Sequence, residues 1–353
     1  MALLLAHMHA NYSQSGERGS GGLTAGGGPG AAVSLRSRAA ARALHPPRGQ
    51  PLRLPSAIVP STEQQTRTAR APASSANLGP GFDSLAVALA MYVEVEVGPA
   101  DALRVESSGE GAELPADARH LAARVATKVA GHDRLAIRVF SEIPVSRGLG
   151  SSAALAVAAA KAAGAADPLR AGAEVDGHPE NAAASTLGGL VAAAMVEGRP
   201  VSRRLPLDPD LRFVLVIPDG MLETSAARAA LPAKVPHADA AFNLSRMGLL
   251  LAGLADHRNL NPAATEDRLH QDARGELFPE AADILRVLRD AGALGACWSG
   301  AGPSLLGITV DGDAPAVASA GRAALTEYGI HGRVLTLAAD LAGVTLVGGD
   351  PPW

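Results

Sequence analysis

The chain has 353 residues, carries 31 Lys plus Arg against 35 Asp plus Glu for a formal net charge of −4, and is 47% hydrophobic. Such a composition suits a globular protein with material for two domains or one large one, and excludes a small fold that needs metal or disulfide staples. The slightly acidic balance argues against nucleic acid as a partner, the lack of any apolar run of about 20 residues argues against a membrane span, and one cysteine, Cys297, suits a reducing cytoplasmic location.

From Asn11 to Gly30 there are 8 glycines, and between Met1 and Gln65 six arginines stand against two acids, without any apolar period. Residues 1–65 therefore read as a disordered or mis-assigned extension, a composition that would also suit a transit peptide. The opening apolar run, Leu3-Leu4-Leu5, lacks the leading positive charge of a signal peptide. Folding is expected to begin near Thr66.

Past that point Ser74-Ser75-Ala76-Asn77-Leu78-Gly79-Pro80-Gly81-Phe82-Asp83 places Asn77 and Asp83 around a glycine turn ahead of an apolar run. Period-two alternation over residues 92–97 predicts a strand, and the Ala/Leu-rich stretch 153–163 predicts a helix. Directly before that helix comes Pro144-Val145-Ser146-Arg147-Gly148-Leu149-Gly150-Ser151-Ser152-Ala153-Ala154. Glycines let backbone N–H groups turn toward a ligand, Ser151 and Ser152 add hydroxyls, and a helix N-terminus favours negative charge, so the segment is built for an anion such as polyphosphate. Its plainer reading is a serine-capped helix after a turn. It lacks the lysine of a Walker A loop and is not the Gly-x-Gly-x-x-Gly fingerprint. A strand is expected over 211–217 after a domain boundary near Pro206, and a third glycine turn, Ser299-Gly300-Ala301-Gly302-Pro303-Ser304, lies between apolar runs at 294–298 and 305–310. Short strands alternating with helices give an α+β or α/β protein.

Taken in order, the three glycine clusters resemble the three motifs of the GHMP kinases, the superfamily of galactokinase, homoserine, mevalonate and phosphomevalonate kinases. Ser74 to Asp83 and Gly177-His178-Pro179-Glu180-Asn181 resemble the homoserine kinases in particular. The resemblance covers about residues 68–343 and implies an α+β, two-domain GHMP kinase fold. Residues 66–205 would form an N-terminal ATP-binding domain like ribosomal protein S5 domain 2, and residues 206–353 a ferredoxin-like C-terminal domain.

The same resemblance implies that the loop from Pro144 to Ala154 wraps the phosphates of ATP, and that Ser151 or Ser152 together with Glu174 holds Mg²⁺. Hard cations take oxygen ligands, and Mg²⁺ needs few of them from protein. The implied substrate pocket uses Asn77, Asp83, Glu180, Asn181, Arg228 and Arg274. Guanidinium groups grip a carboxylate bidentately, and Asp83 and Glu180 can pair with an ammonium, which suits L-homoserine as the acceptor, with Asn181 orienting its hydroxyl. The proton acceptor stays open and His178 receives no role. The family also implies threonine biosynthesis and a possible homodimer. The chain departs from the family pattern in having Glu180 where aspartate is usual, in a shortened segment between Lys161 and Glu174, and in Trp298 ahead of the third turn. Another GHMP kinase, of mevalonate or sugar type, and a GHMP-fold binding protein without catalysis are the competing readings.

Overall fold

A computed structural model describes residues 65–348. The expectations for residues 1–64 lie outside the described residues. The strand β1 (Arg67–Ala76) runs antiparallel to the long β2 (Leu85–Pro99), with one register shift at Pro72/Ala73. After β3 (Arg104–Gly109) and helix α1 (Leu121–Ala130) the chain returns as β4 (Leu135–Ser141), which pairs antiparallel with β2 and parallel with β3. Helices α2 (Ser151–Ala163), α3 (Pro168–Asp176) and α4 (Glu180–Leu187) follow, and the hairpin β5 (Leu190–Val196) and β6 (Arg199–Leu205) closes the segment against β2.

Alternation along β2 buries Val93, Val95 and Val97 while Glu94 and Glu96 take the other face, the expected period-two pattern extended well beyond 92–97. Residues 153–160 of α2 are all buried, so this helix has no solvent face. Six of those eight residues are alanines, and the small side chains let β1, β2, α1 and α3 approach the helix closely.

A second sheet begins with β7 (Leu211–Pro218), one residue longer than the strand expected from sequence. Helices α5 (Thr224–Ala229), α6 (His237–Ala255), α7 (Gln271–Gly275) and α8 (Ala281–Asp290) lead to the antiparallel pair β8 (Gly295–Trp298) and β9 (Leu305–Val310), then α9 (Ala314–Glu327) and β10 (Gly332–Leu337). The four strands lie in the order β10-β7-β9-β8, all antiparallel, which is the strand order of a ferredoxin-like β-α-β-β-α-β unit. Ile284, Leu285 and Leu288 of α8 and Val317 and Leu325 of α9 pack with Val214, Val216 and Trp298 in its core.

The last strand, β11 (Thr345–Val347), returns to the first sheet and pairs antiparallel with β1, making that sheet seven-stranded. The position expected for a domain boundary, near Pro206, falls between the two sheets, while β11 belongs to the first. Both sheets lie within one compact unit. Among the described residues no helix is long and apolar enough to cross a membrane.

Candidate active site

Three glycine-rich turns meet between the two sheets. Gly300 N donates to the Ala76 carbonyl at 3.1 Å, Asn77 Nδ2 donates to the Gly300 carbonyl at 2.9 Å, and Ser299 Oγ lies 2.7 Å from the Gly148 carbonyl and 2.9 Å from Ser75 Oγ. Gly148 takes a φ of +72°, and a Cβ there would run into the Ser299 carbonyl oxygen and stand 2.8 Å from Gly302 N, so the phosphate-type loop and the third turn touch where only glycine fits.

Together these turns line a cleft of about 480 Å³. Val145, Ser146, Arg147, Gly148, Leu149, Gly150, Ser151 and Ser152 are on its wall, whereas Pro144, Ala153 and Ala154 are buried behind it. The serine-cap reading of this segment does not match the geometry. Gly150, in the left-handed region at φ 65°, occupies the N-cap of α2, and no side chain caps it. Ser152 Oγ donates to Asp176 at 2.7 Å instead. The first N–H groups of a helix have no partner within it, so the start of α2 offers donors to the cleft. Arg147 gives its guanidinium to backbone carbonyls, at 3.0 Å to Pro218 and 2.8 Å to Val145 and also to Asp219, tying the loop to the end of β7.

Asn77, Asp83, Glu180, Asn181, Arg228 and Arg274 all line the same cleft. Asn77, at φ 69°, receives Asp83 N on its Oδ1 at 3.0 Å, which closes the first turn. Asp83 and Arg228 pair with each other bidentately, at 2.7 and 3.0 Å, rather than standing free, and each side chain remains about one-third exposed. Arg274 is 2% exposed, with burial and then the Arg228 charge pushing its pKa down to about 10. Glu180, 1% exposed, accepts from Asn181 Nδ2 at 3.4 Å on Oε1, the oxygen that also sits 2.6 Å from His178 Nδ1. Its other oxygen, Oε2, has no partner among the described residues.

Glu174 is not part of this constellation. It lies on the exposed side of α3 with Lys128 Nζ at 2.6 Å and Arg170 Nε at 3.1 Å, and these cations, Lys128 first, hold its carboxyl below the usual range. Two residues along a helix is a rotation of about 200°, so Asp176 faces the opposite way and enters the cleft. Burial raises the pKa of Asp176, the hydrogen bond from Ser152 working against that. Sequence reasoning stopped one half-turn short of this carboxylate, whose only signal was its place just before Gly177-His178. It also gave no role to His178 and did not foresee the apolar end of the cleft, formed by Leu114, Leu121, Val145, Leu155 and Val175.

The arrangement brings a glycine-rich loop at a helix N-terminus, the Asp176 carboxylate and a set of acids, amides and arginines to one cleft. Comparison with known proteins shows the family. Residues 118–189 match the GHMP kinases N terminal domain and residues 248–327 the GHMP kinases C terminal model. A homoserine kinase of Mycolicibacterium smegmatis is 40% identical over 78% of this chain and 93% of its own length. The chain belongs to the homoserine kinases of the GHMP kinase family. A homoserine kinase of Rhodococcus erythropolis is 41% identical over 72% of the chain and 90% of its own. The crystal structure of homoserine kinase from Cytophaga hutchinsonii superposes with a TM-score of 0.71 at 25% identity, covering 80% of this chain and 97% of the other. L. major mevalonate kinase, at 16% identity, TM-score 0.61 and coverage of 80% and 98%, shares the fold.

Proposed function

We propose that this GHMP kinase transfers the γ-phosphoryl group of ATP to the hydroxyl of L-homoserine, giving ADP and O-phospho-L-homoserine for threonine biosynthesis in the cytoplasm. The observation that carries this reading is the convergence of Asn77, Asp83, Glu180, Asn181, Arg228 and Arg274 on the cleft lined by the phosphate-type loop. A sugar acceptor has neither a carboxylate for the two arginines nor an ammonium for the acid pair, and mevalonate, which has the carboxylate, has no ammonium to engage Asp83 and Glu180.

In this reading the loop from Val145 to Ser152 holds the triphosphate through backbone N–H groups and hydroxyls, and the apolar end of the cleft receives the base. Arg274 and Arg228 take the substrate carboxylate. Asp83, which now engages Arg228, exchanges that partner for the ammonium, a change made easy by the solvent exposure of the pair. The free Oε2 of Glu180 offers a second acceptor. Asn181 orients the attacking hydroxyl. Phosphoryl transfer asks mainly for alignment and charge neutralisation.

Mg²⁺ fits beside the loop. Asp176 is a half-buried carboxylate on the cleft wall, 2.7 Å from the Ser152 hydroxyl, and with Ser151 and Ser152 it would supply the oxygen ligands a hard cation takes. The ion would neutralise phosphate charge there.

The test is ADP release from Mg-ATP with L-homoserine, L-serine, L-threonine and mevalonate compared. Stimulation by homoserine alone supports the reading. Stimulation by mevalonate, or by none of them, overturns it.

A further inference from the structure

His270 was not singled out by the sequence and touches neither phosphate loop nor Asn181, yet it is buried at the start of α7 between two site segments. Its backbone is fixed by Asp267, whose carboxylate accepts the N–H groups of Leu269, His270 and Gln271 at 3.1, 2.8 and 2.8 Å. Its ring stacks on Phe82 with centroids 5.2 Å apart. On one side Nε2 is 2.8 Å from the Gly79 carbonyl, and on the other Nδ1 is 2.9 Å from Arg274 Nη1. A carbonyl only accepts and a guanidinium only donates, so the ring must carry its hydrogen on Nε2 and present a bare Nδ1 to the arginine. Burial, pushing the pKa of His270 down, keeps the ring in that neutral form against the pull of the Asp267 carboxylate.

The consequence falls on Arg274. Its Nη1 has two hydrogens, and both are engaged, one by His270 Nδ1 and one by the Gly300 carbonyl at 2.8 Å. Its Nε–H is buried and finds no partner among the described residues. The edge formed by Nε–H and Nη2–H is one of the two that match a carboxylate bidentately. We infer that His270 is a positioning residue for substrate recognition: by occupying Nη1 it fixes the rotation of the Arg274 guanidinium so that the Nε/Nη2 edge receives the substrate carboxylate. This rests on the reading above that Arg274 binds that carboxylate. The bond to Gly79 also places the ring against the first glycine turn, so the arginine is set relative to Asn77 and Asp83, which hold the rest of the same substrate.

The experiment compares His270→Asn, whose amide oxygen can replace Nδ1 as acceptor, with His270→Gln, whose longer chain reaches toward Gly79 and gives up the short contact to Arg274. We expect His270→Gln to raise KM for L-homoserine about 10- to 100-fold, with KM for ATP within about twofold of the unmutated enzyme, and His270→Asn to recover most of the loss. In an Arg274→Ala background His270→Gln should add nothing further, because the residue acts through the arginine. Melting curves with and without ATP show whether each variant is folded and keeps its nucleotide site. The inference is overturned if KM values for homoserine and ATP rise together, if Asn and Gln variants are equally impaired, or if the losses at His270 and Arg274 multiply. An unmutated enzyme without homoserine turnover would overturn the substrate reading itself, a result distinct from turnover with unaltered KM in His270→Gln.

Discussion

Ser74 Oγ on β1 donates to Asn181 Oδ1 on α4 at 2.9 Å, across 107 positions of sequence, and this bond orients the amide at the centre of the cleft. Glu180 Oε1, 3.4 Å from Asn181 Nδ2, can only accept, so the nitrogen faces the carboxylate and the oxygen faces the serine. Gly150 stands against both, and a Cβ there would meet Ser74 Oγ and lie 3.0 Å from Asn181 Oδ1. The first strand, the phosphate loop and the residue assigned to the substrate hydroxyl are thus one packed unit.

Ser74→Ala should therefore act on chemistry more than on binding. With Oδ1 released, the amide is free to rotate and misplace the hydroxyl, and kcat is expected to fall about 10- to 100-fold with little change in either KM. Steady-state kinetics with both substrates varied checks this. An equal rise in both KM values would show a general loosening of the cleft instead.

Gly148 and Gly131 form a matched pair for testing the loop. Both have positive φ, at 72° and 77°, but Gly131 has nothing within 4 Å of where a Cβ would go, whereas Gly148 faces the Ser299 carbonyl. Gly131→Ala should lose about 1 kcal/mol of stability and keep activity. Gly148→Ala carries the same backbone cost and must also part the loop from the third turn, so ATP binding should fall by about 100-fold or more. Nucleotide titration by calorimetry, with melting temperatures of both variants, separates strain from the clash.

The metal assignment is tested by two substitutions a half-turn apart. Asp176→Asn should raise the Mg²⁺ concentration needed for half-maximal rate by about tenfold or more. Glu174→Gln removes an exposed ion pair with Lys128 and Arg170, and should leave the Mg²⁺ dependence unchanged at a cost of about 0–1 kcal/mol in stability. A Mg²⁺ titration in which Glu174→Gln is the more impaired variant would reverse the assignment.

That half-turn marks the limit of what the sequence conveyed. The three glycine clusters were legible because each combines residues that serve a close backbone approach with side chains of defined chemistry, and their order along the chain is itself information. The strand at 211–217 was legible from the five consecutive apolar residues Phe213 to Ile217 ahead of Pro218. Helix phase at α3 was not, since nine residues bounded by Asp167 and Gly177 carry too short a pattern to say which carboxylate faces inward. The pairing of Asp83 with Arg228 was hidden for a different reason: it joins residues 145 positions apart, and only the meeting of the two sheets brings them together. The return of β11 to β1 is equally non-local.

His178 gives the cleft a pH dependence whose sign can be worked out. Burial alone would lower its pKa, but the short hydrogen bond to Glu180 and the negative charges of Glu180 and Asp176 outweigh it, so the folded-state value lies above the ordinary 6.5. A group whose pKa is raised on folding stabilises the protein in its protonated form. The contribution is fully present below about pH 6.5, where the unfolded chain also binds the proton, and is lost as pH rises through the folded-state value. His178→Gln should therefore melt below the unmutated protein by a margin that is largest near pH 6 and shrinks toward pH 9. Thermal melts across that range, with and without L-homoserine, measure the margin directly, and one that grows with pH would mean that the neutral imidazole is the form the fold prefers.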